Sequence, residues 1–353
     1  MAISSPVPPP NAEKPTPRRP AHLGARRTIG FIVIAFALLL VVMLSLSVGA
    51  RDVPPSAIWE SLLGVALHED AQSALALRIP RTVLGVLVGA ALGVAGALIQ
   101  AVTRNPLADP GILGVNAGAA FAVAIAVGVF GIASAPAFLW FAFGGALATT
   151  VVVYLIGAAG RGSVSPARIT LAGVAIGAVL SGITAGMLLA DPKGFNAIRA
   201  WEAGAIADRG WDGILVASPY LAAGLVLALV LGRALNAVAL GDDLARSLGS
   251  NVLRTRILSI LAITLLCGTA TAMAGPIAFV GLMIPHVARW IVGPDQRWII
   301  AYSVFLAPIL LLASDILGRV LLRPGELPVG VVTAFIGAPV LILLVRHQRA
   351  SAL

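Results

Sequence analysis

Few side chains in this sequence could carry out chemistry. Only 11% of its 353 residues are charged, against about a quarter in an ordinary soluble domain. The histidines are scattered without the spacing of metal ligands, at His22, His68, His286 and His347. The single cysteine, Cys267, lies inside an apolar run, so a disulfide framework is excluded. We therefore predict neither a catalytic residue nor a metal site in this chain.

The sequence also lacks the residues of two energy-coupling mechanisms. A nucleotide-binding P-loop needs a glycine-rich turn followed by lysine, but the lysines are Lys14, near the N-terminus, and Lys193, in a predicted loop. An ion-coupled carrier usually keeps ionisable groups in mid-membrane. In the apolar runs such groups stand only near the ends, as Asp191, Asp315 and Arg319 do. If ATP drives this protein, another subunit must bind it.

One polar stretch could transmit motion from such a subunit. Residues 241–251 read GDDLARSLGSN. They form the longest polar segment among the loops predicted on the cytoplasmic face of the membrane. Asp242 and Asp243 suit a helix N-terminus, where the helix dipole favours acidic groups, and Gly249 suits its end. On the residues alone, a plain connector is an equally good interpretation.

The elements that position these residues are membrane spans. The chain is 59% hydrophobic, and runs such as 29–49 and 83–102 have the length of about 20 residues that a bilayer requires. The sequence predicts an all-α, polytopic membrane protein with ten helices, at 28–49, 82–103, 111–130, 137–159, 168–190, 213–232, 257–276, 278–293, 299–318 and 329–346. Glycines four residues apart, such as Gly85 with Gly89 and Gly182 with Gly186, predict close helix packing, mostly within the subunit.

The basic residues predict the orientation. With both termini in the cytoplasm, 16 of the 24 Lys and Arg residues fall on the inner side, as the positive-inside rule requires. The net charge of +9 is therefore interpreted as a topology signal, and no nucleic-acid partner is predicted. Residues 1–27 are expected to form a disordered cytoplasmic tail, 28–346 the transmembrane domain, and 347–353 a C-terminal cytoplasmic tail.

Several long motifs occur together and in order. They are RIPR at 78–81, AGALIQAVTRNPLADPGILGVNAG at 95–118, LAGVAI at 171–176, Trp201 with Gly204, AGPIAFVGLMIPHVAR at 274–289, Asp315 to Arg319, and GELPVGVVTAFIGAP at 325–339. With these motifs the chain resembles the permeases of iron-siderophore and vitamin B12 importers, most closely the ferric-enterobactin type. The resemblance covers nearly the whole chain after residue 27.

The resemblance implies a type II ABC importer permease with no enzymatic activity of its own. It implies a second permease subunit (a paralogue is favoured over a homodimer), two copies of an ABC ATPase below, and an extracytoplasmic siderophore-binding protein outside, all in or on the lipid of the bacterial cytoplasmic membrane. No cofactor is expected on this chain, because ATP and Mg belong to the ATPase.

The resemblance also implies roles for particular residues. Segment 241–251 looks like the family's coupling helix, with Leu244 departing from the usual loop pattern; the residues expected to couple to the ATPase are Asp242, Asp243, Ala245, Arg246, Ser247, Leu248 and Gly249. Arg78, Arg81 and Arg319 look like the arginines that dock the binding protein, whereas arginines that merely extend toward the interface are the plainer interpretation. Asn105 and Leu107, with Ser165 and Pro166, look like the cytoplasmic gate, although a small hydroxyl residue is more usual than proline at 166.

The expected function is translocation of a ferric siderophore, with the catecholate type favoured. The same machine carrying haem or cobalamin is the first alternative, since the motifs belong to scaffold and interfaces. An ion-coupled carrier is the second alternative.

Overall fold

The architecture is that of a bundle of long apolar helices. A computed structural model describes residues 22–49, 53–66, 68–132, 135–159, 166–190, 198–199 and 201–350. In chain order the helices are α1 (His22–Ser47), α2 (Pro55–Leu62), α3 (Glu69–Thr103), α4 (Val115–Gly128), α5 (Ala135–Ala158), α6 (Pro166–Ala190), α7 (Gly210–Ala239), α8 (Asp242–Ser247), α9 (Val252–Ile263), α10 (Thr269–Ala274), α11 (Val280–Val292), α12 (Gln296–Leu321) and α13 (Val329–Ala350). A 3-10 turn over Pro110–Leu113 precedes α4, and a π-helical turn over Thr264–Gly268 joins α9 to α10.

The predicted all-α membrane fold is confirmed, and each of the ten predicted spans falls on a helix of the bundle. Within the described ranges, seven helical segments are long and apolar enough to cross a membrane: Arg26–Ser47, Glu69–Thr103, Ala137–Gly157, Ala167–Ala190, Gly210–Ala239, Val252–Ala274 and Gln296–Leu321. Two further apolar helices, Val115–Gly128 and Val280–Val292, are shorter than predicted, and a third begins at Val329 as predicted. Both predicted tails are also partly helical, because α1 begins at His22 and α13 continues to Ala350; residues 1–21 lie outside the described ranges.

The short helices end at breaks where other parts of the protein supply hydrogen-bond partners for the freed backbone groups. Between α10 and α11, Gly275 has φ +75°, and a Cβ there would lie 2.0 Å from the carbonyl oxygen of Trp201. The backbone N–H of Ala205 donates to the carbonyl of Ala274 at 2.7 Å, and Gly330 donates to Gly204 at 2.9 Å. Irregular backbone is tolerated at membrane depth only where protein covers it in this way.

Helix α3 occupies the centre of the bundle and packs along α12. Glycines replace side chains at this contact: a Cβ on Gly89 would lie 2.6 Å from the Cα of Pro308, and one on Gly93 would lie 2.5 Å from the Cβ of Ala307. Predicted packing within the subunit is thus confirmed on α3. On α6, by contrast, no described atom lies within 4 Å of a Cβ on Gly182 or Gly186.

Gly96→Ala is expected to destabilise the protein by about 1–3 kcal/mol, the usual cost of overpacking. The added Cβ would lie 1.8 Å from the carbonyl oxygen of Gly281 on α11, and a backbone atom cannot rotate away. Gly182→Ala, in open space, should be neutral or slightly stabilising because alanine favours helix. Thermal unfolding in detergent micelles measures both; equal midpoints for the two variants would contradict the packing described here.

Candidate functional site

At one end of the bundle, the three arginines expected to dock a partner come together. Arg78 and Arg81 on α3 and Arg319 on α12 line one cavity of about 340 Å³. Asp208 and Glu326 contribute acidic groups to the same cavity. We call this group, together with Asp315, the arginine cluster.

Asp315 is the centre of the arginine cluster. Its carboxylate is 1% exposed and accepts from Nη2 of Arg81 at 2.7 Å on one oxygen. The other oxygen accepts from Nε of Arg319 at 2.9 Å and also from its Nη2. Arg81 extends further, and its Nη1 donates to Glu326 at 2.6 Å. Buried charges need this kind of pairing, because an unpaired one carries a large desolvation cost.

The arginines also bind the end of α1. Nη1 of Arg319 donates to the carbonyls of Ser45 at 2.8 Å and Val48 at 3.0 Å, and Nη1 of Arg78 donates to those of Leu46 and Ser47, each at 3.0 Å. The last carbonyls of a helix lack partners within the helix, and they attract cations. The cluster therefore joins α1, α3 and α12.

Docking by these arginines remains a prediction, with a structural condition attached. The side chain of Arg319 is 1% exposed and that of Arg81 is 13% exposed. A partner would therefore reach Arg319 only after its bonds to Asp315 and α1 had rearranged. Sequence reasoning missed this internal role, although the four-residue spacing of Asp315 and Arg319 matches an ion pair on a helix face.

The opposite end of the bundle carries the predicted coupling segment. α3 is 35 residues long, and at a rise of about 1.5 Å per residue Arg104 lies roughly 35 Å along it from Arg81. Here α8 forms the expected short helix, with Asp242 and Asp243 in its first turn. Gly249 has φ +78°; its N–H donates to Arg246 and that of Ser250 to Ala245, each at 2.9 Å. This pair of bonds is a Schellman motif, which explains the glycine.

The residues of the coupling segment, which are the predicted coupling residues together with Leu244, divide into two sets. The side chain of Asp243 is fully exposed, and the others that face outward are Leu244, Arg246, Ser247, Leu248 and Gly249. Ala245 is buried against Val238 and Val252. Asp242 turns inward and accepts from Nη2 of Arg256 at 2.9 Å. The outward set offers a mixed apolar and charged surface, whereas the inward set anchors α8 to the bundle.

The predicted gate residues are only partly described. Asn105 is exposed, and its side-chain oxygen accepts from the N–H of Leu107 at 2.9 Å, which makes a tight turn after α3. The loop continues to Asp109, which accepts from Gly111 at 2.8 Å, and burial raises the pKa of this carboxyl. Pro166 begins α6, and Ser165 lies outside the described residues. The turn is therefore observed, while gating remains a prediction.

Comparison with known proteins gives concordant results. Residues 37–347 match the model of the FecCD transport family. The chain is 50% identical to the ferric enterobactin transport system permease protein FepD of Escherichia coli over 91% of this chain and 96% of the relative. It is 35% identical to the hemin transport system permease protein HmuU of Yersinia pestis, over 90% and 96% of the two chains.

A solved structure is similar over almost its whole length. It is described as an inward-facing conformation of a metal-chelate type ABC transporter, and it superimposes with a TM-score of 0.79 at 25% identity, covering 91% of this chain and 99% of that one. The resemblance stated from the motifs is confirmed by these matches.

Proposed function

The chain belongs to the FecCD transport family, and from this premise we propose that it is the permease subunit of an ATP-driven importer for a ferric siderophore of the catecholate type. The observation that carries the proposal is the 50% identity to a ferric enterobactin permease along 91% of the chain. Haem is the second candidate, because a hemin permease is 35% identical over a similar length.

The energy would enter through α8. Leu244 and Leu248, respectively 49% and 62% exposed, stand beside the exposed charges of Asp243 and Arg246 on a short, well-capped helix. An exposed apolar pair within a charged rim is typical of a protein contact. The proposed partner at this surface is the ABC ATPase, present in two copies, which would hold the ATP and Mg.

The binding protein would dock at the opposite end. Arg78 and Arg81 line the cavity at the arginine cluster. Arginine forms bidentate, charge-assisted bonds with carboxylates. In the proposal, acidic residues of the loaded binding protein compete with Glu326, whose side chain is 33% exposed, for Arg81. Docking would in this way reach the buried Asp315–Arg319 pair.

A second permease subunit would pack against α6. Gly182 and Gly186 lie four residues apart with open space above them, and small residues at this spacing let two membrane helices approach closely. The proposed partner is a paralogue that shares this face, and the pathway would lie between the two subunits.

The proposed orientation places both termini and α8 in the cytoplasm and the arginine cluster outside. Ser247→Cys and Asp70→Cys test it with a membrane-impermeant maleimide, since Ser247 and Asp70 are exposed and native Cys267 is buried. Intact cells should label position 70 only, and inverted vesicles position 247 only. Labelling of position 247 in intact cells would contradict the orientation.

The substrate is tested by uptake into a strain that lacks the gene. Radiolabelled iron is supplied as ferric enterobactin, ferric citrate or a hydroxamate complex, and haem is supplied in parallel. The proposal predicts that the intact gene restores uptake of ferric enterobactin at least tenfold more than uptake of the others. Restoration of haem uptake alone would favour the second candidate.

A further inference from the structure

A side-chain link joins α8 to the end of α3. Oδ1 of Asp242 lies 2.9 Å from Nη2 of Arg256 and 3.5 Å from Nη2 of Arg104. Arg256 is 4% exposed, Asp242 is 19% exposed and Arg104 is 41% exposed, so the group runs from the interior to the surface. Arg256 belongs to α9, and Arg104 immediately follows α3.

The backbone of Arg104 is a second observation. Arg104 has φ +52°, one of three non-glycine residues with positive φ in the described chain. Its N–H donates to Ala101 at 3.4 Å, and that of Asn105 donates to Gln100 at 3.2 Å. In such a helix end glycine is the favoured residue, because other residues are strained there. An arginine in this position incurs strain that glycine would avoid, and its side chain reaches Asp242.

The third observation is what Arg104 leads into. The loop after it contains Asn105 and Leu107, held in their turn by the bond between them. α8 is covalently continuous with the ends of α7 and α9, but not with this loop. A Cβ on Gly241 would lie 3.6 Å from Nη1 of Arg104. The guanidinium of Arg104 therefore packs over the start of α8.

We propose that Asp242 acts as a positioning residue that transmits movement of α8 to the loop 104–108 through its ion pair with Arg104, while Arg256 fixes the carboxylate from the buried side. This inference rests on the proposed function, in which an ATPase moves α8. It assigns to Asp242 a contact within the permease, in place of the ATPase contact expected from the sequence, and it brings Arg104 and Arg256 into the coupling path.

Arg104→Gly is the sharpest test, because glycine suits the positive φ and the helix end should be retained. The permease is assembled with its ATPase subunits in proteoliposomes, and Leu107→Cys reports on the loop by its maleimide labelling rate. We expect that rate to change between the nucleotide-free and vanadate-trapped states, and Arg104→Gly to reduce the change at least threefold. Arg254→Ala, which removes an exposed arginine on α9, is the matched control and should retain the full change.

Asp242→Asn should lose at least as much of the change, since it also breaks the ion pair with Arg256. The double variant should lose no more than Asp242→Asn, because both changes break the link between Asp242 and Arg104. ATPase subunits should co-purify with all variants as with the native chain. A full change in the labelling rate in Arg104→Gly would overturn the inference. So would a labelling rate that is the same in both nucleotide states when Arg104 and Asp242 are intact, or a loss in the double variant that exceeds the loss in Asp242→Asn. The labelling experiment uses no siderophore. If the proposed substrate is wrong, only the uptake experiment is affected, and the labelling still decides whether the link exists.

Discussion

Replacing Asp315 with alanine is expected to lower the free energy of unfolding by about 3–5 kcal/mol, the usual cost of removing one partner from a buried ion pair. The carboxylate is 1% exposed and bonds both Arg81 and Arg319. Without it, two guanidinium groups share a buried site with no buried counter-charge. Because Arg319 also binds the last carbonyls of α1, the loss should loosen the contact between α1 and α12.

Glu326→Gln is the matched control for Asp315→Ala. Glu326 pairs with the same Arg81 at 2.6 Å but is 33% exposed, and a partly exposed pair contributes about 0.2–1 kcal/mol. Unfolding in detergent micelles, followed by circular dichroism, measures both variants. A stability loss below about 1 kcal/mol for Asp315→Ala would show that the carboxylate is not the electrostatic centre of the cluster.

Gly249→Ile is expected to reduce ATP-driven uptake at least tenfold while the protein remains folded and assembled in the membrane. The residue has φ +78°, which a β-branched side chain adopts only with strain, so the Schellman bonds that end α8 should break. α8 would then present its exposed surface in a different orientation to the proposed ATPase partner. Binding of the loaded binding protein, which is proposed to dock at the other end of the bundle, should be unchanged.

Gly131→Ile is the matched control for Gly249→Ile. Gly131 also has positive φ, +66°, and as at Gly249 no atom of the described residues lies within 4 Å of a Cβ. The two replacements therefore impose similar backbone strain without a clash against the described residues. Gly131 follows α4, away from α8, and its replacement should leave uptake within about twofold of native. Equal losses from the two variants would mean that strain alone, and not the surface of α8, explains the effect.

The membrane fold was predictable because lipid imposes simple rules on sequence. In lipid a helix must satisfy its backbone N–H and C=O groups by its own hydrogen bonds, and its side chains must be apolar. The length of an apolar run therefore locates a span, as it did for α1 and α7. The signals at Asp242, Asp243 and Gly249 are equally local, which explains why α8 begins and ends near the predicted residues.

The breaks and the arginine cluster were not predictable in the same way. α3 begins at Glu69, 13 residues before the predicted span, because its first turns pack Ala71 and Leu75 against Ile58 of α2, and this packing is a tertiary interaction. Arg81 and Asp315 are separated by 234 positions, and a single sequence does not show which distant charges will meet. The arginines could therefore be placed at a membrane boundary but not in an internal ion-pair network.

ATP-dependent transport in a purified system tests the central claim most directly. This chain is reconstituted in liposomes with the proposed paralogous permease, ATPase subunits and binding protein, and radiolabelled ferric enterobactin is supplied on the side of the binding protein. The account predicts accumulation inside the liposomes that requires both ATP and the ATPase. Transport by this chain without any ATPase, driven by an ion gradient or by the substrate's own gradient, would contradict it.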